Sequence, residues 1–398
     1  MTNAAAGSPP DTDVVVLGAG IAGVSAAACL ARQGIRVTLV ASHDHHPAEF
    51  RAEKTGERQM QLLDRFGLGA AARAHATVID GVWLHRFGRI VERSTKREYG
   101  ADYAELIDAL RAALPAAVRV VIGQTVTVET GPDRQVVVLR DGRTFHARLL
   151  IVATGLGESV RRRLGIERDV YSPAHTLAAG FNLTRPPDSF PFPSLVWSGE
   201  RFGDRVSYLT LFPIGGTMRA NFYVYRTQKE PWTHAFRTAP EAELRRLMPR
   251  LEDMFGEIRL GNAVVTRTID LMRMNGYARD GVVLVGDAFC TVCPITGTGI
   301  DKALTDVDRL CNTHVPDWLT SPGMTKDKIA AFYADPVKRA RDHSAIKQSV
   351  EAREIKTELS VRWKLRRLKS NTLVRAAYRV RSVWNASPMR TKPSEVTR

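Results

Sequence analysis

Apolar positions change their spacing repeatedly along this chain. Asp13 to Leu17 is a short run rich in β-branched residues, expected as a buried strand, and Val24 to Gln33 is an alanine-rich stretch of strong helix formers. Gly34 ends that helix and Ile35 to Val40 reads as a second strand, so the chain opens on a βαβ unit. From His75 to Glu98 and again from His175 to Arg226, apolar and aromatic residues alternate with polar ones. Period two predicts an antiparallel sheet with one covered face. Pro240 to Gly256 reads as a helix beside that sheet, and Gly281 to Val285 as another buried strand. From Thr325 onward Ile329, Phe332, Tyr333 and Val337, then Ile355, Leu359, Trp363 and Leu368, recur at helical spacings. The expected class is α/β, with an inserted antiparallel sheet and a helical C-terminus.

The turn between the first strand and helix carries Gly18-x-Gly20-x-x-Gly23. Gly18 permits the tight turn, Gly20 a close approach of backbone to a pyrophosphate, and Gly23 close packing of helix on strand. The phosphates would rest on the helix N-terminus, at Ile21 and Ala22. In its strand–turn–helix context the motif predicts dinucleotide binding. The acid expected after the second strand, to hold the ribose, is absent: the chain runs Val40, Ala41, Ser42, His43, Asp44. Ser42 is a weaker substitute, and Asp44 a second if it reaches back. His43, His45 and His46 lack cysteines or a helical pairing, so they read as a solvated loop and no metal is expected.

A second signature follows the strand at Val282 to Val285. It comprises Gly286-Asp287, then Pro294, then Gly297-Thr298-Gly299-Ile300 and a helix. An aspartate at a strand end suits a ribityl hydroxyl. The proline and glycines would bring backbone N–H groups and a helix N-terminus to a ring edge that gains negative charge on reduction. With both motifs in order, the chain resembles the group A flavoprotein monooxygenases of the para-hydroxybenzoate hydroxylase fold. Arg51, eleven residues before Leu62, is similar to that family's flavin-contacting arginine. The resemblance implies a Rossmann-type FAD-binding domain (residues 12–75, 100–174 and 277–325) and an inserted antiparallel-sheet substrate domain (76–99 and 176–276). A basic helical region (326–385) and disordered tails (1–10 and 386–398) complete the expected organisation. It also implies FAD held by Gly18, Gly20, Ile21, Ala22, Gly23, Arg51, Asp287, Pro294, Gly297, Thr298, Gly299 and Ile300. The implied reaction inserts one oxygen atom of O2 into an aromatic or alkene substrate, free or carrier-bound, through a C4a-hydroperoxyflavin. No residue declares itself a catalytic acid or base.

Thr154 stands where the family has an aspartate that serves FAD and NADPH, in Ala153-Thr154-Gly155-Leu156-Gly157. With the Asp102-Tyr103 pair and the missing ribose acid, this is similar to the two-component styrene monooxygenases. NAD(P)H is therefore the expected reductant either directly or through a separate flavin reductase. A double-bond reductase, a halogenase and a non-catalytic FAD-binding protein are the alternatives on this fold. Lys54 could mimic a halogenase lysine, but Trp197 stands without that family's tryptophan motif, so a surface or salt-bridge lysine is the expected role. Cys290 and Cys293 form a Cys-x-x-Cys without a basic neighbour to lower a thiol pKa, which argues against redox chemistry. Trp83, His85, Tyr208, Phe222 and Tyr225 either line a pocket or form sheet core, and Phe212-Pro213 before Gly215-Gly216 is expected to turn at the ring.

Composition narrows the class further. At 398 residues with 44% apolar and 25% charged, the chain has ample core for two domains. Four cysteines and the absence of a basic, signal-like start predict a reducing, cytoplasmic setting. The charge of +15 is uneven: residues 356–398 hold 12 Lys/Arg against Glu358 and Glu395, a net of +10, leaving +5 for the rest. A solvated face around an apolar stripe packed on the body is the favoured reading of that region. A membrane-surface helix and a dock for an acidic carrier protein rank below it, and nucleic acid is not expected.

Overall fold

The computed structural model describes residues 11–49 and 51–369. The expected tails at 1–10 and 386–398, and the basic stretch beyond residue 369, lie outside the described residues.

A five-stranded sheet is assembled from segments far apart in sequence. Its order is Val282–Leu284, Leu149–Val152, Val14–Leu17, Val37–Ala41, Val118–Ile122, and every neighbouring pair is parallel. All of Val14–Leu17 and Leu149–Val152 is buried, as parallel strands covered on both faces must be. The helix Ile21–Ala31 packs on this sheet with all eleven residues buried. The turn between them depends on two glycines. Gly18 sits at φ +100°, and a Cβ there would lie 2.6 Å from the Ala153 carbonyl oxygen. A Cβ on Gly23 would lie 1.8 Å from the Gly18 oxygen, so helix and turn could not close.

The eight-stranded sheet runs Val265–Asn275, Glu167–Asn182, Thr217–Val224, Val206–Ile214, Leu195–Ser198, Thr77–Arg86, Arg89–Asp102, Ala52–Gly56. The expected antiparallel pattern holds with one exception: Leu195–Ser198 pairs parallel with Thr77–Arg86. That pair joins two stretches separated by more than a hundred residues, and hairpin logic cannot supply it. A further three-stranded sheet, Thr125–Glu129, Gln135–Leu139 and Thr144–Ala147, has no counterpart in the expected organisation.

One face of the large sheet builds a core from Phe181, Leu209, Phe222 and Trp197 against Phe236, Leu247 and Leu251. The covering segment is not the single helix expected over 240–256. Met248 takes φ −136° and ψ 60° between the helices Pro240–Leu247 and Pro249–Phe255. Proline 249 denies its predecessor the helical conformation and supplies no N–H. Near the C-terminus the helices Lys326–Ala334 and Pro336–Thr357 form as expected, with Ile329, Phe332 and Tyr333 buried. Val337, Leu359 and Leu368, expected on the packed stripe, are exposed at 47%, 68% and 62%.

Candidate functional site

A cleft of about 660 Å³ opens where the parallel strands end. Gly18, Gly20, Ile21 and Ala22 line one wall, and Asp287, Gly299 and Ile300 another. Arg51 enters from the loop before the strand Ala52–Gly56. Eight of the twelve residues expected to hold cofactor therefore meet in one cavity. Gly23 lies behind the wall, where it packs the helix. Pro294, Gly297 and Thr298 are not in the lining. They form the approach to the helix Gly299–Arg309: a single 3-10 turn at Pro294–Thr296, then Gly297 at φ +64° and Thr298 as N-cap. The Thr296 and Thr298 hydroxyls lie 2.7 Å apart and stiffen that approach.

The backbone around Asp287 is held from behind by buried charges. The Gly286 N–H donates to Asp306 Oδ2 at 2.9 Å, and Lys302 Nζ donates to the Gly286 carbonyl at 3.3 Å. Lys338 Nζ reaches Asp306 at 2.9 Å and Asp342 at 3.0 Å. Lys302, Lys338 and Asp306 are each 1% exposed. Burial alone would discharge Lys302, but Asp306 and Asp342 outweigh it and raise the lysine's pKa. The two lysines in turn hold the Asp306 carboxyl below the usual carboxylate range, so Lys302 and Asp306 face each other as ions.

Arg51 rests 4.0 Å from the ring centroid of Tyr103 and donates to Glu53 at 2.5 Å. Burial would lower its pKa, and Glu53, Tyr103 and Asp287 reverse this and raise it, so a full cation faces the cleft. Tyr103 begins the helix Tyr103–Ala112, capped by the Asp102 side chain through Ala104 N–H at 2.9 Å. Its hydroxyl is the group within 4 Å of a Cβ placed on Gly20, at 3.3 Å.

At the other end of the cleft, Ser42 does line it, whereas the exposed Asp44 does not. His43, His45 and His46 line it too, so the loop read as merely solvated belongs to the site's rim. His46 lies edge-on to Tyr103 at 5.1 Å and its backbone N–H donates to Asp108. Arg111, Arg140, Arg163 and Arg267 also border the cleft and were not singled out in the sequence. They come from four separate elements, so no local spacing could have found them. Thr154 is in the lining, with its hydroxyl 3.4 Å from the Gly157 carbonyl.

The cavity suits a dinucleotide on its own geometry. Its volume lies within the range of small-molecule and cofactor sites. Glycine leaves the backbone bare at Gly20, the N-termini of Ile21–Ala31 and Gly299–Arg309 both open on it, and five arginines surround it.

The second face of the large sheet is different in character. Tyr208, Thr210, Phe212, Arg219, Asn221 and Tyr223 alternate with the core residues and form it. Tyr208 donates to the Ile295 carbonyl at 2.7 Å, so this face lies against the Pro294–Thr296 turn. Trp83 packs on Phe192, His85 stacks on Trp197, and Phe222 is fully buried, so those three belong to the core side and not to a pocket. Tyr225 is 3% exposed. Phe212 is buried with Ile79, under Lys54 at 5.9 Å. Lys54 pairs with Glu98 at 2.6 Å, the salt bridge expected. Cys290 and Cys293 are buried free thiols, and burial pushes Cys293 up to about 11.

The FAD binding domain family model matches residues 11–313. Among curated relatives, the chain is 25% identical to a 3-amino-4-hydroxybenzoate 2-monooxygenase of Streptomyces platensis, over 74% of this chain and 77% of that protein. It is 28% identical to the menaquinone reductase of Mycobacterium tuberculosis, over 73% of this chain and 74% of that protein. The p-nitrophenol 4-monooxygenase of Pseudomonas putida shares the fold, with a TM-score of 0.71 at 16% identity over 92% of this chain and 93% of that one. Two motifs brought together at one cleft, and a family match spanning most of the described residues, lead to one assignment. The chain belongs to the FAD binding domain family and is a flavin-dependent oxidoreductase of the group A monooxygenase type.

Proposed function

We propose that this enzyme inserts one oxygen atom of O2 into an electron-rich aromatic or alkene carbon of a small or carrier-bound organic substrate. FAD, when bound, supplies the oxygen activation: one atom goes to the substrate, and the other leaves as water, with two electrons and one proton delivered as hydride by NAD(P)H and the second proton drawn from solvent. Gly18, Gly20, Ile21 and Ala22 would hold the pyrophosphate, Arg51 would neutralise it, and Asp287 would bind the ribityl chain.

The observation that carries this reading is the polar, aromatic sheet face lying against the Pro294–Thr296 turn through the Tyr208–Ile295 contact. Tyr208 and Tyr223 pack edge to face at 5.2 Å, and burial raises both phenol pKa values, so they remain neutral donors. Arg219 keeps its charge at neutral pH although burial lowers its pKa to about 10. Such a wall would orient a planar substrate and exclude bulk water from the reacting atoms. Reaction under isotopically labelled O2 tests the proposal. One labelled oxygen per product is the expected result, and an unlabelled product overturns it.

The resemblance to a menaquinone reductase supports a second reading, saturation of a carbon–carbon double bond by two electrons and two protons. Substrate consumed without O2, with two hydrogens gained, would identify it. Anaerobic titration with NADPH and NADH separates the two routes of electron supply. Rapid bleaching of the flavin assigns direct use of the nicotinamide, and its absence assigns a separate reductase.

A further inference from the structure

Of the apolar residues expected to hold the last helix on the body, Trp363 does so, whereas Leu359 and Leu368 are exposed. In the helix over residues 361–369, Trp363 is buried at 7% exposure. Arg366 and Arg367 share its side: Arg366 pairs with Glu351 at 2.9 Å, and Arg367 donates to the Glu358 carbonyl at 2.7 Å. The Arg367 guanidinium also lies 4.2 Å from the ring centroid of Phe202. At 3.6 residues per turn, positions 363, 366 and 367 form one face and positions 361 and 365 the opposite one. Val361 and Leu365 are accordingly 70% and 61% exposed, and Leu359, just before the helix, is 68% exposed. Exposed Arg362, Lys364 and Lys369 flank the stripe.

We propose that this face rests on an anionic phospholipid membrane surface, with Leu359, Val361 and Leu365 entering the acyl boundary. The flanking cations would then lie in the headgroup layer. The net charge of +10 over residues 356–398 complements such a surface. The stripe stands outward from a helix pinned by Trp363, Arg366 and Arg367, so apolar side chains flanked by cations are presented together to a fluid anionic plane. Among the described residues no helix is long and apolar enough to cross a membrane.

Flotation of the full-length, FAD-loaded protein with phosphatidylcholine vesicles, with and without phosphatidylglycerol, tests this. The protein is expected to float with the anionic vesicles and not with the neutral ones. Val361→Ser with Leu365→Ser, both at exposed positions, should lower vesicle affinity at least about ten-fold while FAD content and melting temperature stay at wild-type values. Wild-type protein that ignores phosphatidylglycerol overturns the proposal. So does a double variant that floats like the wild type, because charge alone would then suffice. Capture of an acidic carrier protein by a chain that does not float assigns the face to a protein and likewise overturns it.

Discussion

The hydroxyl of Tyr103 accepts the backbone N–H of Ile21 at 3.3 Å, joining residues 82 positions apart at the N-terminus of the first helix. The same ring carries the Arg51 guanidinium at 4.0 Å. Tyr103 thus fixes both the bare helix end and the cation that would meet an anionic cofactor. Tyr103→Ala should weaken FAD binding to the apoprotein about ten-fold, while Tyr103→Phe, which keeps the ring, should stay within about three-fold. Fluorescence titration reads both, and equal affinity in all three proteins would refute the positioning role.

Asp287 stands in the cleft on a turn whose backbone is anchored by Asp306 and Lys302. If its carboxylate binds a cofactor hydroxyl, Asp287→Ala removes a charge-assisted hydrogen bond worth roughly 1.5–3 kcal/mol. Folded protein with FAD affinity reduced at least about ten-fold is expected. Full occupancy at wild-type affinity would show that Asp287 does not bind the cofactor.

Lys338 bridges Asp306 and Asp342 in the buried network, and its ammonium lies 4.3 Å from the Phe289 ring centroid. Lys338→Met leaves two carboxylates in low dielectric with Lys302 as their remaining lysine partner. A stability loss of about 3–5 kcal/mol is expected from urea unfolding. A loss below about 1 kcal/mol would mean that Lys302 alone balances both acids.

His85 is 1% exposed, lies 3.3 Å from the Trp197 ring in a near-parallel stack, and has both ring nitrogens without a hydrogen-bond partner. Burial, then Arg250, pushes its pKa down to about 4. Its neutral form is favoured in the fold, so its stabilisation is complete above the unfolded histidine value and is lost as pH falls toward about 4. Between pH 7 and pH 5 that loss is about 2 kcal/mol. His85→Phe should remove that share of the acid sensitivity in urea midpoints. An unchanged slope would mean that His85 titrates normally in the folded protein.

Much of the cofactor cleft was legible because its requirements are local. Gly18 must take a positive φ, Gly23 must lack a Cβ, and Gly286-Asp287 must follow a buried strand; each is a property of residue type and immediate neighbours. The break at Met248 was also local, but the helical spacing around it masked the effect of Pro249. The arginines bordering the cleft were not legible, since Arg111, Arg140, Arg163 and Arg267 converge only when separate elements dock.

The βαβ opening, the two glycine motifs and the alternating sheet follow from residue order alone, because backbone conformation and burial period are written residue by residue. Tertiary structure decided that Trp197 and His85 would face the core while Tyr208 and Tyr223 face the flavin motif, and that Leu359, Val361 and Leu365 would turn outward. A period marks which residues share a face, but only the docked neighbours determine whether that face meets core, cleft or solvent.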